Sequence, residues 1–261
     1  MEKHLDFMLE WTEKLEQEAI KISRSKFSKN KNDIRCSYFY LTHQLAYTYY
    51  LKFILLFISE SVNNKNISLD EKTNSKHINK VLRITKDNDI DMKNEYFRSL
   101  NRNLIIDSWS VFEFCLTTFC EGICSDSELK NNTKKLHLTH ISINHKIKFI
   151  FEKIEASNKY KRNIKKDKEF LIFFGKLRNT MHTNFIYHRY KETDNKIYEY
   201  KFKDTLFVFI DKQTINDNNT EKFSPKLHFG LIEELKLIWN ELIHSIEYSE
   251  LIEHPDNERQ P

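Results

Sequence analysis

The sequence predicts a mainly α-helical bundle of up-and-down helices with one small β-hairpin. Its 261 residues include only three glycines and three prolines, which leaves little material for the tight turns that many short strands need. Apolar residues instead recur at helical spacing through several long segments. One region near 197–211 alternates between apolar and polar side chains, as in a strand pair. We therefore expect a helical body with a hairpin appended to it.

Six segments have the apolar periodicity of helices, and most are bounded by polar stretches. They cover residues 2–24, 34–61, 95–123, 139–156, 169–184 and a closing segment after Pro225. Gly122 has the position of a helix C-cap, and Thr139 or Ser142 that of an N-cap. Residues 25–33 are predicted to be a linker. The polar stretch from 62 to 94 predicts a long excursion with one short helix near 77–84.

Chain length and this pattern predict the domain organisation. A chain of 261 residues fits one large helical domain or two small ones. We expect an N-terminal helical region over residues 1–94, packed on or preceding the core. Residues 95–253 would form a helical domain with the hairpin inserted, and residues 254–261 a disordered tail.

Charge and motif content exclude several classes of function. The 42 Lys and Arg residues nearly balance the 38 Asp and Glu residues, and a net charge of +4 is not a nucleic-acid-binding pattern by itself. No glycine-rich phosphate loop is present, which argues against Rossmann and P-loop nucleotide sites. The histidines at 137, 140 and 145 are irregularly spaced and lack nearby carboxylates, so we expect neither a metal site nor a cofactor.

The expected location is the cytoplasm. The four cysteines at 36, 115, 120 and 124 form no CxxC pair, and reduced, buried thiols are expected for the last three. The N-terminus lacks the apolar core of a signal peptide. The most apolar stretch, residues 38–58, carries His43, Gln44 and Lys52, which favours a buried helix over a membrane span.

The best candidate chemical site lies in the segment LRNTMH, where Arg178, Asn179 and His182 occur within five residues. On a continuous helix Arg178 and His182 are four positions apart, so both point toward one face. An imidazole can take a proton from a ribose 2′-hydroxyl or give one to a leaving oxygen. A guanidinium can hold the charge that grows on a phosphate. A purely structural role for this common pair remains the alternative.

Residues 97–190 resemble the HEPN domains, helical proteins of prokaryotic toxin and antiphage systems. The resemblance is carried by the upstream segment IIDSWSVFEFCLTTF, the segment HKIKFI and the LRNTMH segment. Active HEPN domains cleave RNA without a metal across a dimer interface. The resemblance implies that Arg178, Asn179 and His182 are catalytic or phosphate-contacting residues. Fewer residues separate Arg from His here than is usual in that family.

Other polar residues are candidates for supporting roles. Asp107 and Glu113, on the upstream helix, can orient the Arg or the His, or serve as ordinary solvated or salt-bridged carboxylates. A second set of cations can follow an RNA backbone, or else belong to solvated loops. That set comprises Lys161, Arg162, Lys165, Lys166, His188 and Arg189.

Two functions follow as expectations. The first is a metal-independent HEPN-type endoribonuclease in a toxin or antiphage system, which acts on RNA as a homodimer, with an antitoxin or defence-system partner protein and no membrane. The second is a non-catalytic HEPN-like module that binds a partner or a nucleotide as a sensor or scaffold. The short spacing between Arg178 and His182 motivates the second.

Overall fold

The computed structural model describes residues 2–23, 33–64, 90–124, 141–189, 196–215, 225–248 and 250–253. Within them the chain forms six helices and one two-stranded antiparallel sheet, which confirms the predicted fold class. The helices are α1 (Glu2–Ser23), α2 (Ile34–Asn64), α3 (Ile90–Ile123), α4 (Ile143–Ser157), α5 (Ile164–His182) and α6 (Pro225–Ser245). The strands are β1 (Ile197–Phe202) and β2 (Thr205–Ile210).

The predicted long polar connection over 62–94 has the wrong boundaries at both ends. Helix α2 continues to Asn64, and α3 already begins at Ile90. Polar residues extend a helix readily once its apolar part has nucleated, because each added residue gains a backbone hydrogen bond. The predicted short helix at 77–84, the linker before Asp33 and the tail at 254–261 lie outside the described residues. The domain boundary between 94 and 95 falls inside α3, and the division into domains stays a prediction.

Helix α3 is the centre of the bundle, since it packs against α2, α4, α5 and α6. Its buried face carries large aromatic side chains, among them Trp109, Phe112 and Phe119. The rings of Phe112 and Phe119 contact Trp239 of α6. The thiols of Cys115 and Cys120 are buried in the same core and are not in disulfides. None of the described helices combines the length and the apolar character needed to cross a membrane.

Helices α3 and α5 run antiparallel, and their contact brings the candidate residues together. The indole of Trp109 stacks on Phe174 with ring centroids 5.6 Å apart. A Cβ added at Gly175 would lie 3.3 Å from the same indole, so glycine lets the two helices approach closely here. Nearer the start of α3, Arg102 Nη1 contacts Asn184 Oδ1 at 3.4 Å. The last turn of α5 therefore lies beside the first half of the described α3.

The hairpin covers α5 from the other side. Strands β1 and β2 pair in register from Ile197–Ile210 to Phe202–Thr205. The ring of Phe173 on α5 stacks on Tyr200 at 4.2 Å between centroids and also meets Phe207 at 4.8 Å. Aromatic pairs of this kind add to the area they bury, so the hairpin fixes the middle of α5 against the core.

Gly122 does not cap α3, and that prediction was wrong. The helix runs through Gly122 to Ile123, and no glycine has a positive φ. A Cβ at Gly122 would instead lie 2.7 Å from the side chain of Ile252. The glycine is therefore needed for the close approach of the C-terminal segment, and its proximity to the helix end is incidental.

The same C-terminal segment is held by a buried ion pair at the start of α2. Arg35 donates from Nε to Asp33 Oδ1 at 2.8 Å and from its terminal nitrogens to the carbonyls of Tyr248 and Glu250 at 2.8 and 2.9 Å. Both charged side chains are fully buried. Asp33 also accepts the backbone N–H of Arg35 at 2.9 Å, which caps α2. This arrangement fixes residues 248 and 250–253 to the bundle.

Candidate functional site

The candidate site is formed at the C-terminal end of α5. Asn163 caps the start of this helix by accepting the N–H of Lys166, and the helix ends at His182. The hydroxyl of Thr183 donates back to the carbonyl of Asn179. Asn184 and Phe185 then take positive φ values of 53° and 66°, so the chain leaves the helix in a tight turn. His182 itself is exposed at the end of the helix.

Arg178 and His182 lie one helical turn apart on the same face, as their spacing predicts. Arg178 is half-buried and donates from Nη1 to Asn179 Oδ1 at 3.0 Å, whereas the imidazole of His182 is exposed. The Nε of Arg178 is buried and finds no hydrogen-bond partner among the described residues. A buried guanidinium N–H without an acceptor is costly.

Sequence analysis missed Arg102 of α3. Its guanidinium reaches Asn184 just beyond α5, and its charge acts on His182 together with that of Arg178. No local motif marks Arg102, because only the antiparallel contact of α3 with α5 brings it to the site. The structure thus gives His182 two guanidinium neighbours from different helices.

The electrostatics favour a neutral imidazole. Desolvation lowers the pKa of His182 from its ordinary value, and the positive charges of Arg178 and Arg102 lower it further, while Asp107 opposes them. Desolvation also raises the pKa of Asp107, against the charges of Lys52 and His182. The imidazole is therefore unprotonated, and able to accept a proton, down to a lower pH than a free histidine.

Asp107 joins the candidate pair to a groove between α2 and α3. The groove has a volume of about 230 Å³ and is lined by both helices. Leu45 and Leu104 contribute apolar walls, and Lys52, Asn103 and Asp107 contribute polar groups. Asp107 lines this groove, and its carboxylate also raises the pKa of His182.

The structure does not bring Glu113 to this site. Its backbone carbonyl accepts from the hydroxyl of Thr117. Within the described part of the chain, no contact joins its carboxylate to Arg178 or His182. Glu113 lies six positions after Asp107, which on a helix places the two carboxylates well apart around the axis.

Arg162 is engaged inside the fold. It binds both carboxylate oxygens of buried Asp167 at 2.9 Å and also pairs with Glu234 of α6. The hydroxyl of Tyr160 donates to the same Asp167 at 2.6 Å. This network connects α5 to α6, so the charge of Arg162 is largely neutralised by carboxylates of the same fold. Sequence composition indicated a cation but could not reveal its partners.

Lys161, Lys165 and Lys166 are exposed near the start of α5. At about 1.5 Å per residue, Lys165 lies roughly 25 Å along the helix from His182. These lysines are not part of one compact site with the candidate pair. They can contact only a more distant part of an extended ligand.

His188 and Arg189 follow the turn after α5. The backbone N–H of Arg189 and its side chain both bind Asp211, at 3.0 and 3.1 Å, and this backbone bond above all lowers the pKa of Asp211. His188 is exposed. The pair Arg189–Asp211 anchors the chain to the end of the hairpin, which leaves His188 as the more accessible of the two candidates.

No cluster of three or more His, Cys, Asp or Glu side chains that could hold a metal ion occurs within the described ranges. The chain was compared with protein-family models, curated protein sequences and solved structures, and none of them matches it.

Proposed function

We propose that this protein is a metal-independent endoribonuclease of HEPN type that cleaves RNA through attack of a ribose 2′-hydroxyl. The observation that carries the proposal is the position of His182 beside two guanidinium groups, Arg178 on its own helix and Arg102 on α3. Such a group of side chains combines a proton acceptor with fixed positive charge for a phosphate.

In the proposed reaction His182 takes the proton of the 2′-hydroxyl. The 2′ oxygen attacks the adjacent phosphorus, the bond from phosphorus to the 5′ oxygen breaks, and that oxygen receives a proton. The products carry a 2′,3′-cyclic phosphate and a 5′-hydroxyl. Arg178 and Arg102 hold the charge on the phosphate, and Asn179 orients Arg178 through its side-chain oxygen. A homodimer, with His182 of a second copy protonating the leaving oxygen, completes the acid and base pair.

The exposed lysines supply the proposed path for the RNA backbone. Lys161, Lys165 and Lys166 are exposed and can each neutralise one phosphate of a single strand. Replacing Lys165 and Lys166 by Gln should weaken binding and reduce the salt dependence of the affinity by about 0.7 per lysine. Arg162 is left out of this path because Asp167 and Glu234 already bind it.

The test of catalysis compares four proteins on total RNA in the presence of EDTA. Wild type should release fragments with 2′,3′-cyclic phosphate ends, and His182→Ala and Arg178→Ala should lose at least about a hundredfold in rate. His145→Ala is the matched control, since that imidazole is exposed on α4 and binds Ser142. Equal, negligible cleavage by wild type and His182→Ala would remove the proposal. Sedimentation of the wild type tests the homodimer separately.

A non-catalytic HEPN-like module that senses or scaffolds a partner is the second candidate function. The observation in its favour is the bond from Arg178 to Asn179, which occupies one donor of the guanidinium within the helix. If the protein has this function, Arg178→Ala abolishes the phenotype of the gene, and the wild-type protein leaves RNA intact. Loss of RNA degradation in the same variant would count against it. Either function suits a toxin or antiphage system with a partner protein, which co-purification from the native host would test.

A further inference from the structure

The groove between α2 and α3 has the chemistry of a site for a flat, polar ring. Its walls are apolar at Leu45 and Leu104, and amide groups from Gln44 and Asn103 line it as well. Among the described residues, neither of these amide side chains has a hydrogen-bond partner. Apolar walls with a few placed polar groups are the usual form of small-ligand sites.

The volume limits what the groove can hold. About 230 Å³ is less than the roughly 300–1,000 Å³ of sites for drug-sized ligands. A single aromatic ring system fits this space better than a dinucleotide or a peptide. The amides of Gln44 and Asn103 offer both donors and acceptors, which match the edge of a nucleobase.

The position of the groove links it to the phosphate site. Asn103 lines the groove and directly follows Arg102, whose guanidinium contacts Asn184 just beyond α5. Asp107, also at the groove, and His182 act on each other's pKa. The side chain of Lys52, also at the groove, adds a positive charge next to Asp107. A nucleotide whose phosphate contacts Arg178 and Arg102 can therefore direct its base toward α2.

We infer that the groove between α2 and α3 is a base-recognition site, which binds the nucleobase next to the scissile phosphate. This inference rests on the proposed nuclease function for its substrate, and it names the feature of RNA that the enzyme selects. Hydrogen bonds from Gln44 and Asn103 read the base edge, while the leucine walls contact its faces.

The test measures binding without cleavage. The full chain is titrated by calorimetry with AMP, GMP, CMP, UMP and ribose 5-phosphate, which keeps the sugar and phosphate but lacks a base. At least one nucleotide should bind about tenfold or more tightly than ribose 5-phosphate. Equal affinity for all five ligands would overturn the inference.

Three variants locate the binding. Thr48 is exposed at the groove, so Thr48→Trp should fill the groove and abolish the advantage of the nucleotide over ribose 5-phosphate. Leu51→Trp, one turn along α2 and outside the groove, is the matched control and should keep that advantage. Asn103→Ala, which removes one amide without adding bulk, should reduce it several-fold. Unchanged nucleotide binding in both Thr48→Trp and Asn103→Ala would overturn the inference.

The outcomes separate the two proposals. If a nucleotide binds at the groove but the wild type cleaves no RNA, the base-recognition site is supported and the nuclease function is ruled out. A different outcome is RNA cleavage that depends on His182 but occurs equally often beside all four bases, both in the wild type and in Thr48→Trp. That outcome supports the nuclease and rules out the base-recognition site.

Discussion

Removing the buried charge of Arg35 should destabilise the whole bundle. Arg35→Met keeps most of the side-chain volume but leaves the carboxylate of Asp33, which is fully buried, without its bidentate partner. Breaking such a pair from one side costs about 3–5 kcal/mol. Because domains of this kind are stable by only about 5–15 kcal/mol, this one change should remove a large part of the free energy of unfolding.

Urea unfolding followed by circular dichroism measures this loss. Lys148→Met is the matched control, since Lys148 and Glu152 form an exposed pair at 3.7 Å, and its effect should stay below about 1 kcal/mol. Adding Asp33→Asn to Arg35→Met removes the orphaned charge, retains the capping oxygen and should recover part of the loss. An Arg35→Met variant no less stable than Lys148→Met would refute the reasoning, as would a double variant less stable than Arg35→Met alone.

Three further changes test the site and the C-terminal contact. Arg102→Gln should raise the pKa of His182 toward its ordinary value, because one of the charges that lower this pKa is removed. NMR titration of the imidazole measures the pKa. An unchanged pKa would mean that α3 does not face the site. Asp107→Asn should lower the same pKa further, and a rise would contradict the placement of Asp107. Gly122→Ala should lower the free energy of unfolding by about 1–3 kcal/mol through overpacking against Ile252. Adding Ile252→Ala should recover most of this stability in thermal unfolding. A loss of stability that Ile252→Ala does not recover would indicate that backbone conformation, not space, requires the glycine.

The helices could be predicted because their determinants are local. Apolar spacing located all six helices of the described residues, and alternation located β1 and β2. The same locality explains the pair Arg178 and His182, whose common face follows from a spacing of four residues. These features need no knowledge of which helices pack together.

What sequence analysis missed depends on contacts between distant elements. Arg102 enters the site only because α3 and α5 are antiparallel neighbours. Gly122 was mistaken for a helix cap because the residue that requires a glycine there, Ile252, lies far along the chain. Arg162 looked like a free cation although Asp167, only five residues on, binds it, and its second partner Glu234 is on another helix. A single sequence records the residues of such contacts but not the packing that joins them.

The small net charge of the chain does not decide whether it binds an anion. Elsewhere in the bundle several cations are paired inside the fold, as with Lys236, which pairs with Glu18 and Glu233. Around His182 the balance differs, since the two guanidiniums of Arg178 and Arg102 lower the pKa of the imidazole and, of the charges that act on it, Asp107 alone raises it. Fields at such short range depend on this local excess, because salt screens charges more than about 8–10 Å away. A phosphate would thus meet a positive site on a nearly neutral protein, and its binding should weaken with added salt.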